Sequence, residues 1–346
     1  MRLPAEWERQ SGVQLTWPDE TTPWYELSKV QECYARIASA ISAHEDLLIA
    51  SADPIAARFR LSELTESMSL PLAFERIRFA KVPINDTWAR DHGGISVHGD
   101  DGEMYLCDFV FNGWGLKFAS NYDNLITRRL YDAGVFTSEV KRMDMSPYVL
   151  EGGSIDTDGC GTLLTTAECL CSVNRNEYLD RDGIENALHS ALGLDRFLWL
   201  DRGGIAGDDT DSHVDILARF CNVDTIAYTT CDDPTDENYA ELKAMESQLR
   251  TFHKRNGQPY RLVPLPMPPA MYLDGYRLPA SYANFLIING AVLVPGSGTE
   301  TDEIARLRLQ DVFPDRKVQI IDCRPLLSGH GGLHCVTMQF PEGWLR

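Results

Sequence analysis

The strongest constraint in this chain is an order of secondary-structure signals that keeps returning. Residues 95–98 and 104–111 carry strand-forming side chains and flank Asp101-Gly102, a dipeptide suited to a tight hairpin turn; a helical stretch over 122–133 and a strand near Val140 follow. The same succession recurs as 153–156 and 162–166 around Asp158-Gly159, a helix over 178–192 and a strand over 197–200. It returns as 214–220 and 225–229, a helix over 236–253 and a strand over 260–265. It returns again as 285–288 and 291–294 around Asn289-Gly290, a helix over 300–311 and a strand over 318–322. A hairpin–helix–strand unit of about 55–70 residues predicts supersecondary units set in a closed ring or an array, because one such unit cannot bury its own apolar face.

The two ends of the chain supply the remaining strands. Leu27, Val30, Tyr34, Ile37 and Ile41 recur at three- and four-residue steps, which predicts a helix over 27–44. A strand over 46–51, a helix over 54–66 and a strand over 77–82 come next. The segment 333–340 is expected to pair with these early strands and close the ring; the order of elements alone also fits an open α/β sheet. No Pro/Gly/Ser-rich linker separates the copies, so residues 1–346 are read as a single domain.

Composition narrows the partners. With 44% hydrophobic residues the chain can bury a large core, and 32 basic against 51 acidic side chains leave a net charge of −19. That balance argues against a nucleic-acid partner, which needs clustered Lys and Arg, and suits a cationic ligand as well as plain solubility. The apolar runs 285–288 and 291–295 are too short to span a bilayer, so no membrane partner is expected. The first residues show no apolar segment of a secretory signal, which predicts a cytoplasmic protein; the nine cysteines are accordingly expected as thiols. No Cys-x-x-Cys pair occurs, and no structural zinc is expected. The sequence leaves a homo-oligomer open.

Polar clusters fall between the repeats. Residues 85–94 gather Asp86, Trp88, Arg90, Asp91 and His92 in one turn, where caps and ion pairs are an equally good use for them. Glu151-Gly152-Gly153 sets an acid beside two glycines that allow close backbone approach. In Asp208-Asp209-Thr210-Asp211-Ser212-His213-Val214-Asp215 three acids precede a histidine, an arrangement that would charge or orient imidazole. It lacks the EF-hand pattern, and His213-x-Asp215 has no third metal ligand at a familiar spacing. Cys335 follows the turn Gly329-His330-Gly331-Gly332 with His334 beside it, a setting that can expose the sulfur and hold it as thiolate against an imidazolium or a bound cation. The other eight cysteines read as buried small hydrophobes.

Trp88-Ala89-Arg90-Asp91, Glu151-Gly152-Gly153, Asp209…His213-x-Asp215, Leu278-Pro-Ala-Ser-Tyr-Ala-Asn284 and Gly331-Gly-Leu-His-Cys335 stand in this order over nearly the whole chain. In them the sequence resembles the Porphyromonas-type peptidylarginine deiminase family of the guanidine-modifying superfamily. The resemblance implies an α/β fold, a five-bladed propeller of ββαβ units with pseudo-fivefold symmetry (the pentein fold). It also implies a hydrolase that deiminates agmatine to N-carbamoylputrescine and ammonia through an amidino-thioether on Cys335, without metal or organic cofactor. By the resemblance, Asp91 and Asp209 clamp the guanidinium, His213 is the acid and then the base, and Asp215 orients or charges the His213 ring. Trp88, Glu151, Asp86 and Arg90 are expected at the substrate. Ser212 and Gly94 depart from the family's usual Gly and Pro, and the tail of the substrate stays open between agmatine, free arginine and peptidylarginine. Outside the resemblance, Cys335 and His213 alone would also serve a thiol protease, the acidic mouth a non-catalytic cation-binding propeller, and the acids a metal-dependent hydrolase.

Overall fold

The computed structural model describes residues 1–100 and 102–346, so Asp101 of the first turn pair lies outside the described residues, while its partner Gly102 takes the left-handed φ of +82° that such a turn requires. Four three-stranded sheets share one plan, an antiparallel pair whose second strand is parallel to a third. They are Ile95–His98, Met104–Val110 and Val140–Val149; Ile155–Thr157, Thr162–Thr166 and Arg196–Leu200; Ala218–Asn222, Thr225–Thr230 and Arg261–Pro266; and Leu286–Ile288, Ala291–Gly296 and Lys317–Asp322. A parallel pair needs a crossover, and each one here carries a helix: Ile126–Asp132, Arg181–Leu192, Tyr239–Leu249 and Glu300–Val312. Arg181–Leu192 shows how local chemistry sets the ends: the Asp180 carboxylate accepts from Gly183 N, and Gly193 closes the helix at φ +72°.

The chain ends meet in a four-stranded sheet. Thr337–Pro341 pairs antiparallel with Gln10–Thr16, which lies parallel to Asp46–Ser51 and through it to Ile77–Lys81. The helices Leu27–Ser42 and Pro54–Ser67 make those two crossovers, close to the expected spans. Apolar clusters fill the spaces between sheets. Leu48, Ala50 and Phe340 pack with Leu106 and Val140; Ile95 and Cys107 with Leu163 and Trp199; Leu164 and Leu198 with Phe220 and Tyr228. Ala227 and Val263 pack with Ile287 and Val294, and Leu286 and Leu293 with Val13, Leu15 and Ile49.

Two expectations change. Residues 214–216 form a 3-10 turn instead of the start of a strand, which begins only at Ala218. Their backbone bonds go elsewhere: Leu217 N donates to Val214 O at 3.0 Å, and Ile216 O accepts from the hydroxyls of Thr229 and Ser281. Cys335 likewise sits in the turn before the last strand, not on it. A short hairpin, Tyr272–Leu273 with Tyr276–Arg277, was not anticipated. Among the described residues no helix is long and apolar enough to cross a membrane, and all nine cysteines are free thiols.

Candidate active site

A cavity of about 210 Å³ is lined by Asp86, Trp88, Asp91, Asp209, His213, Asp215 and Cys335, together with Trp24, Trp114, Phe118, Asp208 and His330. Seven of the nine residues singled out from sequence therefore share one wall, although the chain separates them by up to 249 positions (335 − 86 = 249). Glycines make that convergence sterically feasible. A Cβ on Gly331 would fall 2.1 Å from the Trp88 ring, and one on Gly329 2.6 Å from Trp24. A Cβ on Gly153 would lie 2.5 Å from His213 Nδ1, 2.7 Å from Asp91 Oδ1 and 3.2 Å from Asp215 Oδ2, so this residue marks the point on which the three side chains converge.

Cys335 is held from several sides. Asn284 Nδ2 donates to Sγ at 3.2 Å, Asn284 Oδ1 accepts from His334 N at 2.9 Å, and Sγ lies 3.8 Å from Asp215 Oδ2. Burial pushes the thiol well above its usual range, and the Asp215 and Asp91 charges push it further, so these surroundings hold Cys335 as a thiol. His213 responds in the opposite sense. Burial pulls its ring down, but Asp91, whose Oδ1 lies 3.6 Å from Nδ1, together with Cys169 and Glu151, raises it well above an ordinary histidine. The side chains thus set an imidazolium near a neutral thiol.

Asp91 accepts from Gly153 N at 3.0 Å and from Trp114 Nε1 at 2.9 Å. Burial nevertheless lifts it to about 6, with His213 pulling down and Asp215 pushing up. Trp114 was missed in the sequence. It sits in a left-handed turn in which Gly113, Trp114, Gly115 and Leu116 all have φ between +55° and +80°, and the Gly-Trp-Gly pattern is the signal that would have revealed it. Asp215 is fully buried, yet burial is outweighed by His334, whose Nδ1 lies 2.7 Å from Oδ2, and the carboxyl is held below its usual range; Oδ1 has no protein partner among the described residues.

The remaining acids form a second group. Asp86 is raised to about 6 by burial, with Asp209 adding to the rise. Asp209 is raised by burial, eased by His330 and Lys117 and increased by Asp208. The carboxylate of Asp208 is already engaged by Thr210 and the Ser212 backbone N–H.

Three sequence expectations need correction. Glu151 does not reach the cavity: it is fully buried, and Arg175 Nε bridges both its oxygens at 3.0 and 2.8 Å, so it acts on His213 from behind. Arg90 faces away from the cavity, 3.7 Å from Glu6 and lining a separate space of about 60 Å³, because neighbouring residues on a helical turn point about 100° apart. Asp215 hydrogen-bonds to His334 and not to His213, with which it keeps the expected charge interaction. Glu151, Cys169 and His213 bring donor atoms within 4.8 Å of one another, the arrangement that could take an ion, although Arg175 already engages Glu151.

The same fold is found in dimethylarginine dimethylaminohydrolase of Pseudomonas aeruginosa (TM-score 0.50, 12% identity, covering 96% of this chain and 100% of that one), which defines the class as a mixed α/β protein of that type. A closer relation is evident in sequence: the profile of the Porphyromonas-type peptidyl-arginine deiminase family matches residues 2–341, and the chain belongs to that family. Agmatine deiminase of Stutzerimonas stutzeri is 33% identical across 99% of this chain and 96% of its own. A solved structure from Porphyromonas gingivalis, provisionally called an arginine deiminase, is 51% identical with a TM-score of 0.93 over 100% and 99% of the two chains. The C. jejuni agmatine deiminase, solved as a cysteine-to-serine variant with substrate bound, is 34% identical with a TM-score of 0.88 over 100% and 98%.

Proposed function

We propose that this protein is an agmatine deiminase, a hydrolase that converts agmatine and water to N-carbamoylputrescine and ammonia. The observation that carries the substrate is the charge of the cavity wall: five aspartates (86, 91, 208, 209 and 215) and, among the described residues lining it, no Lys or Arg. A dication with a guanidinium at one end and an amine at the other matches two acidic groups. The α-carboxylate of free arginine would face these acids with no Lys or Arg on the described lining to receive it.

The guanidinium docks between Asp91 and Asp215, beside Cys335. Its charge offsets the two carboxylates that hold the sulfur protonated, so the thiol proton leaves to solvent and the thiolate attacks the guanidinium carbon. His213 gives its proton to the departing nitrogen, ammonia leaves, and an amidino-thioether remains on Cys335. The now neutral imidazole takes a proton from water, hydroxide adds to the same carbon, and collapse of the adduct passes the hydroxyl proton to solvent as it releases the ureido product and the thiolate. Asp86 and Asp209 receive the amine tail, with Trp88 as a wall suited to a cation. This assignment moves Asp209 from the guanidinium to the tail and Asp215 from the histidine to the clamp.

The five sheets are the blades of one closed, five-bladed ring in a single domain spanning 1–346, a reading supported by the five apolar clusters, each shared by two sheets and the last joining back to the first. Nine free thiols suit the reducing cytoplasm. The test is turnover of agmatine, arginine and a blocked peptidylarginine by the purified protein, with ammonia and ureido product both measured. Agmatine should exceed the others by at least tenfold in kcat/KM; turnover of arginine or the peptide without agmatine would overturn the reading.

A further inference from the structure

Behind Asp215 lies a chain of buried polar groups, His334, Glu6, Arg219 and Asp156, that the mechanism above does not use. His334 is 2% exposed and stands between two carboxylates, with Nδ1 2.7 Å from Asp215 Oδ2 and Nε2 2.8 Å from Glu6 Oε2. Each ring nitrogen faces an acceptor, so two N–H donors satisfy the arrangement. Glu6 comes from the N-terminal segment, 328 residues from His334, and also accepts from Arg219 Nη2 at 2.9 Å. Arg219 in turn binds Asp156 through Nε. The nucleophile's own neighbour in sequence is thereby tied to the opposite end of the chain.

The contrast among buried acids indicates what this chain does. Asp91, Asp86 and Asp156 are each lifted to about 6 by burial, despite hydrogen bonds and, for Asp156, an arginine. Asp215, more buried than Asp86, is held below its usual range, with the bond to His334 as the largest effect opposing burial. Its second oxygen, Oδ1, is left without a protein partner among the described residues. A carboxylate kept charged, fixed by one oxygen and free at the other, is preorganised for an N–H of a planar cation.

We propose that His334, backed by Glu6, is a positioning residue that locks Asp215 by Oδ2 so that its Oδ1 meets the substrate guanidinium beside Cys335. The proposal rests on the guanidine-deiminase reading for the identity of the cation. The charged groups that act on this chain are His213, Arg219, Asp91 and Cys335 around Asp215, Arg90 facing both acids, and Asp156 and Glu45 near Glu6.

The test uses two substitutions that separate the two ring nitrogens. His334→Asn places an amide where Nδ1 stood and keeps a donor for Asp215, whereas His334→Gln reaches toward Glu6 and leaves Asp215 unsupported. The first readout is alkylation of Cys335 by a cationic haloacetamidine relative to neutral iodoacetamide, which needs no turnover. The cationic-to-neutral rate ratio at pH 6–7 should fall by about tenfold or more in His334→Gln, where Asp215 is no longer fixed by Oδ2 and burial is left to raise it, and by about threefold or less in His334→Asn. Glu6→Gln, which keeps the side-chain shape, should lie between them. Where agmatine is turned over, the acid limb of kcat/KM should move to higher pH in the same rank order. Equal ratios in both His334 variants and wild type, with thermal melts showing all folded, would overturn the proposal. So would equal losses in the two, the pattern of a purely structural histidine. If neither His334 variant folds, Glu6→Gln decides alone: an unchanged ratio overturns the proposal. Failure of the deiminase reading shows separately, as absent agmatine turnover in wild type.

Discussion

Replacing Asp209 with Asn separates the two ends of the proposed site. Asp209 lines the cavity, half-buried, with Asp86 as its acidic neighbour; the groups that act on it most are His330, Asp208 and Lys117. An amine about 4 Å from the carboxylate gains about 4 kcal/mol at an effective dielectric of about 20. Partial exposure and the cost of desolvating the amine reduce this to about 2 kcal/mol. Asp209→Asn should therefore lower kcat/KM for agmatine by about 30-fold, mostly through KM, since the tail is held equally in ground and transition states. With butylguanidine, which keeps the guanidinium and lacks the amine, the same substitution should change kcat/KM by less than about threefold, because there is no partner to lose. The assay is ammonia release from both substrates by wild type and variant, a double-mutant cycle in which the substrate supplies the second change. Equal losses on both substrates would refute the tail assignment and return Asp209 to the guanidinium clamp that the sequence resemblance implies.

Trp114→Phe keeps the ring packed against Phe111 but removes the indole donor to Asp91, a charge-assisted bond worth about 1.5–3 kcal/mol; kcat/KM should fall about 10- to 100-fold, and the melting temperature by a few degrees. Glu151→Gln breaks a buried ion pair with Arg175 and should cost about 3–5 kcal/mol of stability in denaturant titrations, while NMR of the histidines shows His213 titrating at lower pH than in wild type. Burial lifts Asp91 and Asp86 each to about 6, so kcat/KM should drop steeply below pH 6, where the acids are protonated and no longer attract a cation. The same two groups hold protons more tightly folded than unfolded, so their contribution to stability is greatest below about pH 4 and declines as pH rises through 6; calorimetry should show agmatine stabilising the fold more on the alkaline side of that window.

Much of the fold was legible because its signals are local. Turn dipeptides such as Asp158-Gly159 and Asn289-Gly290, and the apolar spacing of Leu27–Ser42, state their own conformations without reference to the rest of the chain. The segment 214–216 was not legible as a turn, because what draws it off the ladder is the hydroxyls of Thr229 and Ser281, from two other parts of the chain. The site divides in the same way. Cys335, His213, Asp91, Asp209 and Asp215 stand in short polar motifs, and the order of those motifs was enough to identify a family.

The sequence by itself determined which groups were available, in what order, and that they belong to a repeating α/β chain of this family. Tertiary structure alone decided which acid faces which cation. Adjacent Arg90 and Asp91 point into different cavities because a helical turn rotates one away from the other. Glu151 is withdrawn from the cavity by Arg175, 24 residues away, and Asp215 is taken from His213, two residues before it, by His334, 119 residues after it. Spacing along the chain carries no information about such partners, because a buried charge is settled by whichever opposite group the folded packing brings within hydrogen-bond distance and removes from water.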